Sequence, residues 1–147
     1  MTTMQTPKPP RDLTVAEFFA GIGLMRIGLE QAGWRVVWAN DIDPEKQRMY
    51  CGNFGSEDAH FSPEDVHLLN ADDIPSVTLA TASFPCNDLS LAGARRGLAG
   101  EHSGAFWGFI EAIKKMQERR PPLVLLENVA GFLTSNEGDD FHASLCN

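Results

Sequence analysis

The sequence predicts an α/β domain, a mostly parallel sheet with helices on both faces. Three observations predict it. Short apolar segments alternate with stretches of helical periodicity, a glycine-bearing turn follows the first apolar segment, and several apolar segments end in polar or reactive residues. The first segment, Leu13 to Phe19, leads directly into Ala20-Gly21-Ile22-Gly23. Leu24, Ile27, Gly28 and Ala32 then recur at helical spacing, marking a helix that Gly33 closes. Arg35 to Asn40 reads as the second strand. Asp43 before Pro44 is a cap and first-turn pair, opening a helix that runs toward Gly52. Val66 to Leu69 is expected as a short strand and Val77 to Ser83 as a longer one.

From Phe84 to Ser103 the chemistry is that of a loop, with Pro85, three glycines and Arg95-Arg96. Phe106, Phe109, Ile110, Ile113 and Met116 mark one face of the next helix, and Glu111, Lys114, Lys115 and Glu118 mark the other. Pro121-Pro122 stop it. Leu123 to Leu126 suits a fully buried parallel strand, with Glu127-Asn128 at its carboxyl end. Phe141, Ala143, Ser144 and Leu145 open another helix. A doubly wound domain ordinarily adds strands beyond this point, so the sequence is expected to be a fragment or one part of a split protein. Residues 1–12 read as a flexible tail and 13–147 as a partial domain.

Composition narrows the class. A length of 147 residues, 43% apolar and 22% charged, suits one soluble globular core. No window approaches the roughly 18 apolar residues of a membrane span, and Met1 to Asp12 lacks the apolar core of a secretory signal. Cys51, Cys86 and Cys146 form no Cys-x-x-Cys pair and cannot all be bridged, which favours a reduced, cytoplasmic setting. Twelve basic against twenty acidic residues leave a net charge of −8. That balance lacks the basic footprint of a free-standing duplex-DNA binder, so any action on nucleic acid takes most of its grip from elsewhere.

Three strand ends carry unusual residues. Gly21 and Gly23 let the backbone turn tightly and approach a ligand. Arg26 stands where a dinucleotide fingerprint has its third glycine, so a plain strand-to-helix turn stays open as an alternative. Asp41 follows Gly21 by 20 residues, at the end of the second strand, where a carboxylate can accept from both ribose hydroxyls. Its alternative is a solvated loop acid beside Asp43. Loop and acid together favour an adenosine-bearing cofactor, with a nicotinamide dehydrogenase still open. Ser83-Phe84-Pro85-Cys86 places a thiol at the next strand end, a nucleophile if its pKa is depressed. The other fate of a lone cysteine is a small buried hydrophobe, which is the assignment made for Cys51 and Cys146. Glu127 can hydrogen-bond a ring nitrogen and an exocyclic amine at once, or be a loop acid.

Phe-Phe-Ala-Gly-Ile-Gly (18–23), Asn-Asp-Ile-Asp (40–43), Ser-Phe-Pro-Cys-Asn-Asp-Leu-Ser (83–90) and Leu-Leu-Glu-Asn-Val-Ala-Gly-Phe (125–132) stand in this order. The set resembles the DNA (cytosine-5)-methyltransferase family from about Leu13 to Phe132. The resemblance implies a Rossmann-like fold dependent on S-adenosylmethionine, with S-adenosylhomocysteine as product. Phe19 would pack on the adenine, Gly21 and Gly23 pass its methionine end, Asp41 hold the ribose and Ile42 cover the second adenine face. Asp65-Val66 is similar to the family's Asp-Ile pair, whose acid meets the adenine amine; Asp73-Ile74 is a rival, and Asp65 is preferred because its interval to Cys86 matches the family without a gap. Cys86 would be the nucleophile and Glu127 would bind the cytosine. Pro85 would shape the loop between cofactor and substrate, with Ser83 and Asn128 on the substrate side. The implied substrate is DNA with a flipped cytosine, in a restriction-modification setting.

Departures from the family pattern are Leu24 for its last loop glycine, Asn87 and Leu89-Ser90 after the nucleophile, and Ser103-Gly104 for an Arg-Gly pair. The arginine-bearing motif after Glu127, the target-recognition region and the C-terminal pocket element have no counterpart. A complementary C-terminal polypeptide is therefore an expected partner, and the chain alone is expected to have little or no activity. Transfer RNA as substrate and a non-catalytic, cofactor-binding partner subunit are the alternatives.

Overall fold

The computed structural model describes residues 12–55, 60–85 and 104–146. Its middle layer is a sheet of five strands: β1 (Thr14–Phe18), β2 (Arg35–Asn40), β3 (Phe61–Ser62), β4 (Leu79–Ala82) and β5 (Leu123–Leu126). They lie in the order β3-β2-β1-β4-β5, and every neighbouring pair is parallel. The chain thus winds from β1 to one side and returns to continue on the other, which puts the switch in strand order between β1 and β4. Helices α1 (Leu24–Gln31) and α2 (Pro44–Phe54) lie on one face and α3 (Gly104–Lys115) on the other. The short helices α4 (Gly131–Thr134) and α5 (Asp139–Leu145) follow β5.

Alternation along β1 divides the core in two. Ala16 and Phe18 join Trp38, Ala80 and Ala82 against Phe109 and Ala112 of α3 and Met116 just after it. The Phe18 ring sits 4.9 Å from both Trp38 and Phe109, with the Phe109 contact edge-on. Val15, with Val36 and Leu79, faces Leu29 of α1 and Trp34. Asp43 caps α2 as the sequence predicts, accepting from the Glu45 N–H at 2.9 Å. The α3 face has a feature periodicity does not reveal. A Cβ on Gly108 would lie 2.6 Å from Val66 Cγ1 and 2.9 Å from His67 Nδ1, so the missing side chain lets α3 press against that turn.

Several expectations need correcting. Val66 to Leu69 is a turn, not a strand; Val66 and Leu69 are buried there against α3, and the third strand is Phe61–Ser62. The stripe of Leu24 and Ile27 is exposed. Helix α1 instead turns Arg26 and Leu29 inward, with the Arg26 guanidinium 3.1 Å from the Tyr50 hydroxyl and 4.2 Å from the centre of the Phe54 ring. Helix α3 stops at Lys115, and a 3-10 turn, Gln117–Arg119, intervenes before the prolines. Strand β5 is not buried: Leu123, Val124 and Leu125 are 51%, 47% and 45% exposed, because among the described residues β5 pairs only with β4 and forms the sheet edge. Cys51 is half-buried and Cys146 exposed, so the fully buried assignment fails for both.

The centre of the sheet holds a charged group that sequence patterning passed over. Glu17 on β1 is buried in register with Thr81 on β4. Among the described residues, neither Glu17 Oε2 nor Thr81 Oγ1 has a hydrogen-bond partner. Burial pushes the Glu17 carboxyl up to about 7, against the opposing pull of the Arg26 backbone N–H and the Arg26 charge.

Candidate functional site

Open parallel sheets bind ligands beyond the carboxyl ends of their strands, near the switch point. A cavity of about 690 Å³ lies there, within the range of sites for small ligands and cofactors. The residues after β1 contribute Phe19, those at the end of β2 contribute Asn40, Asp41 and Ile42, and those beyond β3 contribute Glu64, Asp65, Val66 and His67. Ser83, Phe84 and Pro85 follow β4 into the same cavity.

Asp41 is the best-anchored group. It is 5% exposed, which removes the solvated-acid alternative. Its Oδ2 accepts from the Gly21 N–H at 2.9 Å and its Oδ1 from the Asp43 N–H at 3.0 Å. Each oxygen keeps further acceptor capacity, so the carboxylate is fixed without being exhausted. The glycine turn and the acid are thus one unit. Phe19 sits beside them at φ +55, a left-handed conformation that strains a bulky residue by about 1–2 kcal/mol. The next residue is held by an Ala20 N–H bond to the Asn40 carbonyl at 2.8 Å.

Asn40 sets the opposite wall. Buried at the end of β2, it donates from Nδ2 to the Ser62 carbonyl at 3.0 Å and the Glu64 carbonyl at 2.7 Å. Asp65 follows, with its Oδ1 accepting the His67 N–H at 2.9 Å. The rival Asp73 lies in an exposed 3-10 turn and does not line the cavity.

The β4 and β5 exits are tied together. The Glu127 N–H donates to the Ala82 carbonyl at 3.0 Å, and Asn128 Nδ2 donates to the Phe84 carbonyl at 3.0 Å. The Phe84 ring is buried against Phe106 and Phe132 at 5.2 and 5.6 Å. Asn128 therefore anchors the segment that enters Pro85. Asn128→Asp replaces that donor with an acceptor facing a carbonyl. The expected cost is about 1–2 kcal/mol in urea denaturation at neutral pH, while an unchanged midpoint counts against the tether.

The C-5 cytosine-specific DNA methylase family model matches residues 13–146. The chain belongs to this family. It is 36% identical over 135 residues to the Type II methyltransferase M.BsuFI of Bacillus subtilis, covering 92% of the chain and 31% of that protein. It is 32% identical over 130 residues to the Type II methyltransferase M.Bsp6I of Bacillus sp. (strain RFL6), covering 88% and 40%. The crystal structure of S. pombe Dnmt2 methyltransferase superposes with a TM-score of 0.68 at 28% identity, covering 91% of this chain and 41% of that one. The chain thus spans well under half the length of these relatives.

Within this methylase-family fold, the sequence-selected residues Phe19, Asp41, Ile42, Asp65, Val66, Ser83 and Pro85 come together on one cavity. Gly21 and Gly23 stand behind it, Gly21 as donor to Asp41 and Gly23 pressed against Phe54. Glu127 is exposed and, with Asn128, lies outside the cavity lining. Cys86, with Asn87 and Arg95-Arg96, lies outside the described residues. Sequence reasoning missed Asn40, Lys46, His67 and Gly108. The Asn-Asp pair at the end of a strand was the one available signal for Asn40. Nothing local marks Gly108, whose role depends on a residue 42 positions earlier. Among the described residues, no helix is long and apolar enough to cross a membrane.

Proposed function

We propose that the chain is the cofactor-binding and nucleophile-bearing portion of an enzyme that methylates C5 of cytosine in DNA, with S-adenosylmethionine as donor. The observation that carries this reading is the shared cavity. An anchored ribose-type acid, apolar adenine-type walls at Phe19 and Ile42, and an amine-type acceptor at Asp65 stand beside the segment that leads into Cys86. Bound there, S-adenosylmethionine would supply an electrophilic methyl group on a sulfonium.

The remaining chemistry belongs to the chain. Cytosine C5 is a poor nucleophile on its own. Addition of the Cys86 thiolate to C6 breaks the ring's aromaticity and pushes electron density to C5, while Glu127 holds N3 and the N4 amine. After methylation, loss of the C5 proton to solvent returns the electron pair and expels the thiolate. The cytosine has to leave the helix stack first, since neither ring face is reachable inside a duplex. Ser83, Pro85 and Asn128 shape the approach.

The partner in this reading is a C-terminal polypeptide carrying target recognition. An edge strand of Leu123, Val124 and Leu125, exposed on both faces, supports it, because free apolar edges invite pairing. The acidic net charge of −8 supports it as well, since DNA affinity then comes from the partner.

The test is adduct trapping on an oligonucleotide containing 5-fluorocytosine, which cannot release fluorine as it releases a proton. With the C-terminal portion of a relative added, the chain is expected to form a denaturation-resistant adduct that Cys86→Ser abolishes. The chain alone is expected to show little or no transfer. An adduct that survives Cys86→Ser refutes the nucleophile, and an adduct formed only on RNA moves the substrate to transfer RNA. Full activity of the lone chain refutes the need for a partner.

A further inference from the structure

Resting on the cofactor assignment above, we propose that Lys46 is a second ribose-binding residue, its ammonium donating to a sugar hydroxyl from which Asp41 accepts. Lys46 is in the first turn of α2, where its backbone N–H is 3.4 Å from the capping Asp43 Oδ1, so the side chain starts from a fixed point. Its Nζ stands 3.7 Å from Asp41 Oδ2. That separation is too long for a direct hydrogen bond and short enough for charge attraction.

The two partners differ in freedom. The Asp41 side chain is 6% exposed and locked by the Gly21 and Asp43 N–H groups, whereas the Lys46 side chain is 48% exposed on a flexible stem. The ammonium is therefore the group that adjusts. Among the described residues lining the cavity, Lys46 is the only lysine or arginine, set against Asp41, Glu64 and Asp65, with His67 nearby.

A neutral hydroxyl suits the space between this acceptor and this donor. Its one oxygen donates to the carboxylate and accepts from the ammonium together. A carboxylate ligand would be repelled by Asp41, and an amine by Lys46. A ribose diol presents two such oxygens side by side, and the pair selects for them.

The test is calorimetric binding of S-adenosylhomocysteine and of its 2′,3′-dideoxy counterpart to the native chain, Lys46→Met and Lys46→Arg. Lys46→Met is expected to weaken S-adenosylhomocysteine about tenfold, the effect of one hydrogen bond from a charged donor. The dideoxy ligand should bind the native chain and Lys46→Met alike, and Lys46→Arg should recover part of the loss. Melting temperatures should be unchanged, since a half-exposed ion pair adds little to folding. If Lys46→Met weakens both ligands equally, weakens neither, or tightens either, the proposal falls. A native chain that binds neither ligand, even with the C-terminal portion of a relative added, brings down the cofactor assignment itself, which is a distinguishable result.

Discussion

Glu17→Gln is expected to stabilise the chain at pH 8 by about 3 kcal/mol and to flatten its stability against pH. The side chain is buried in the central strand, and its Oε2 has no hydrogen-bond partner among the described residues. Its carboxyl titrates at about 7 in the folded state against an ordinary value of 4.5. Below 4.5 both states hold the proton and the folded chain carries no penalty. Between 4.5 and about 7 the unfolded chain releases a proton that the folded chain retains, so stability falls as pH rises. Above that window the folded chain holds a buried charge. Glutamine keeps the acceptor for the Arg26 N–H and adds a donor that can serve the unpartnered Thr81 hydroxyl. Urea denaturation at pH 5 and pH 8 measures the effect. Parallel loss of stability in the native chain and the variant across that window would mean that Glu17 is not its source.

Gly23→Ala has the opposite sign and a comparable size. The position has φ +88, and an added Cβ would lie 2.2 Å from Phe54 Cε2 and 3.1 Å from Tyr50 Cδ2. Left-handed strain contributes about 1–2 kcal/mol, and forcing aside a packed aromatic adds about 1–3 kcal/mol. An overall loss of about 3 kcal/mol is expected. Phe54 cannot yield freely, because its ring packs on Tyr50 at 4.9 Å and carries the Arg26 guanidinium. Gly21→Ala is the control. Its φ of +57 imposes the strain, yet none of the described residues lies within 4 Å of its ideal Cβ, so about 1 kcal/mol is expected. Equal losses at the two positions in urea denaturation would refute the role of Phe54.

These two positions show how far the sequence could be read. Gly23 was visible as a turn glycine, but the residue that excludes its Cβ is 31 positions away on another helix. Glu17 stood inside an apolar run, where its burial was predictable and its lack of a partner was not. The same division runs through the site. Asp41 was legible because a strand end and a glycine turn fix its separation from Gly21. Asn40 and Lys46 were not, because their roles depend on which carbonyl or carboxylate the fold brings opposite them.

Periodicity alone determined that strands alternate with helices, and motif order alone determined the family resemblance. Both are local properties, since alternation of side chains and turn chemistry depend on near neighbours. Only the tertiary structure decided which side of α1 faces the sheet and that the apolar β5 lies at an edge uncovered by the described residues. Those outcomes follow from the order in which parallel strands pair, which no window of neighbouring residues encodes.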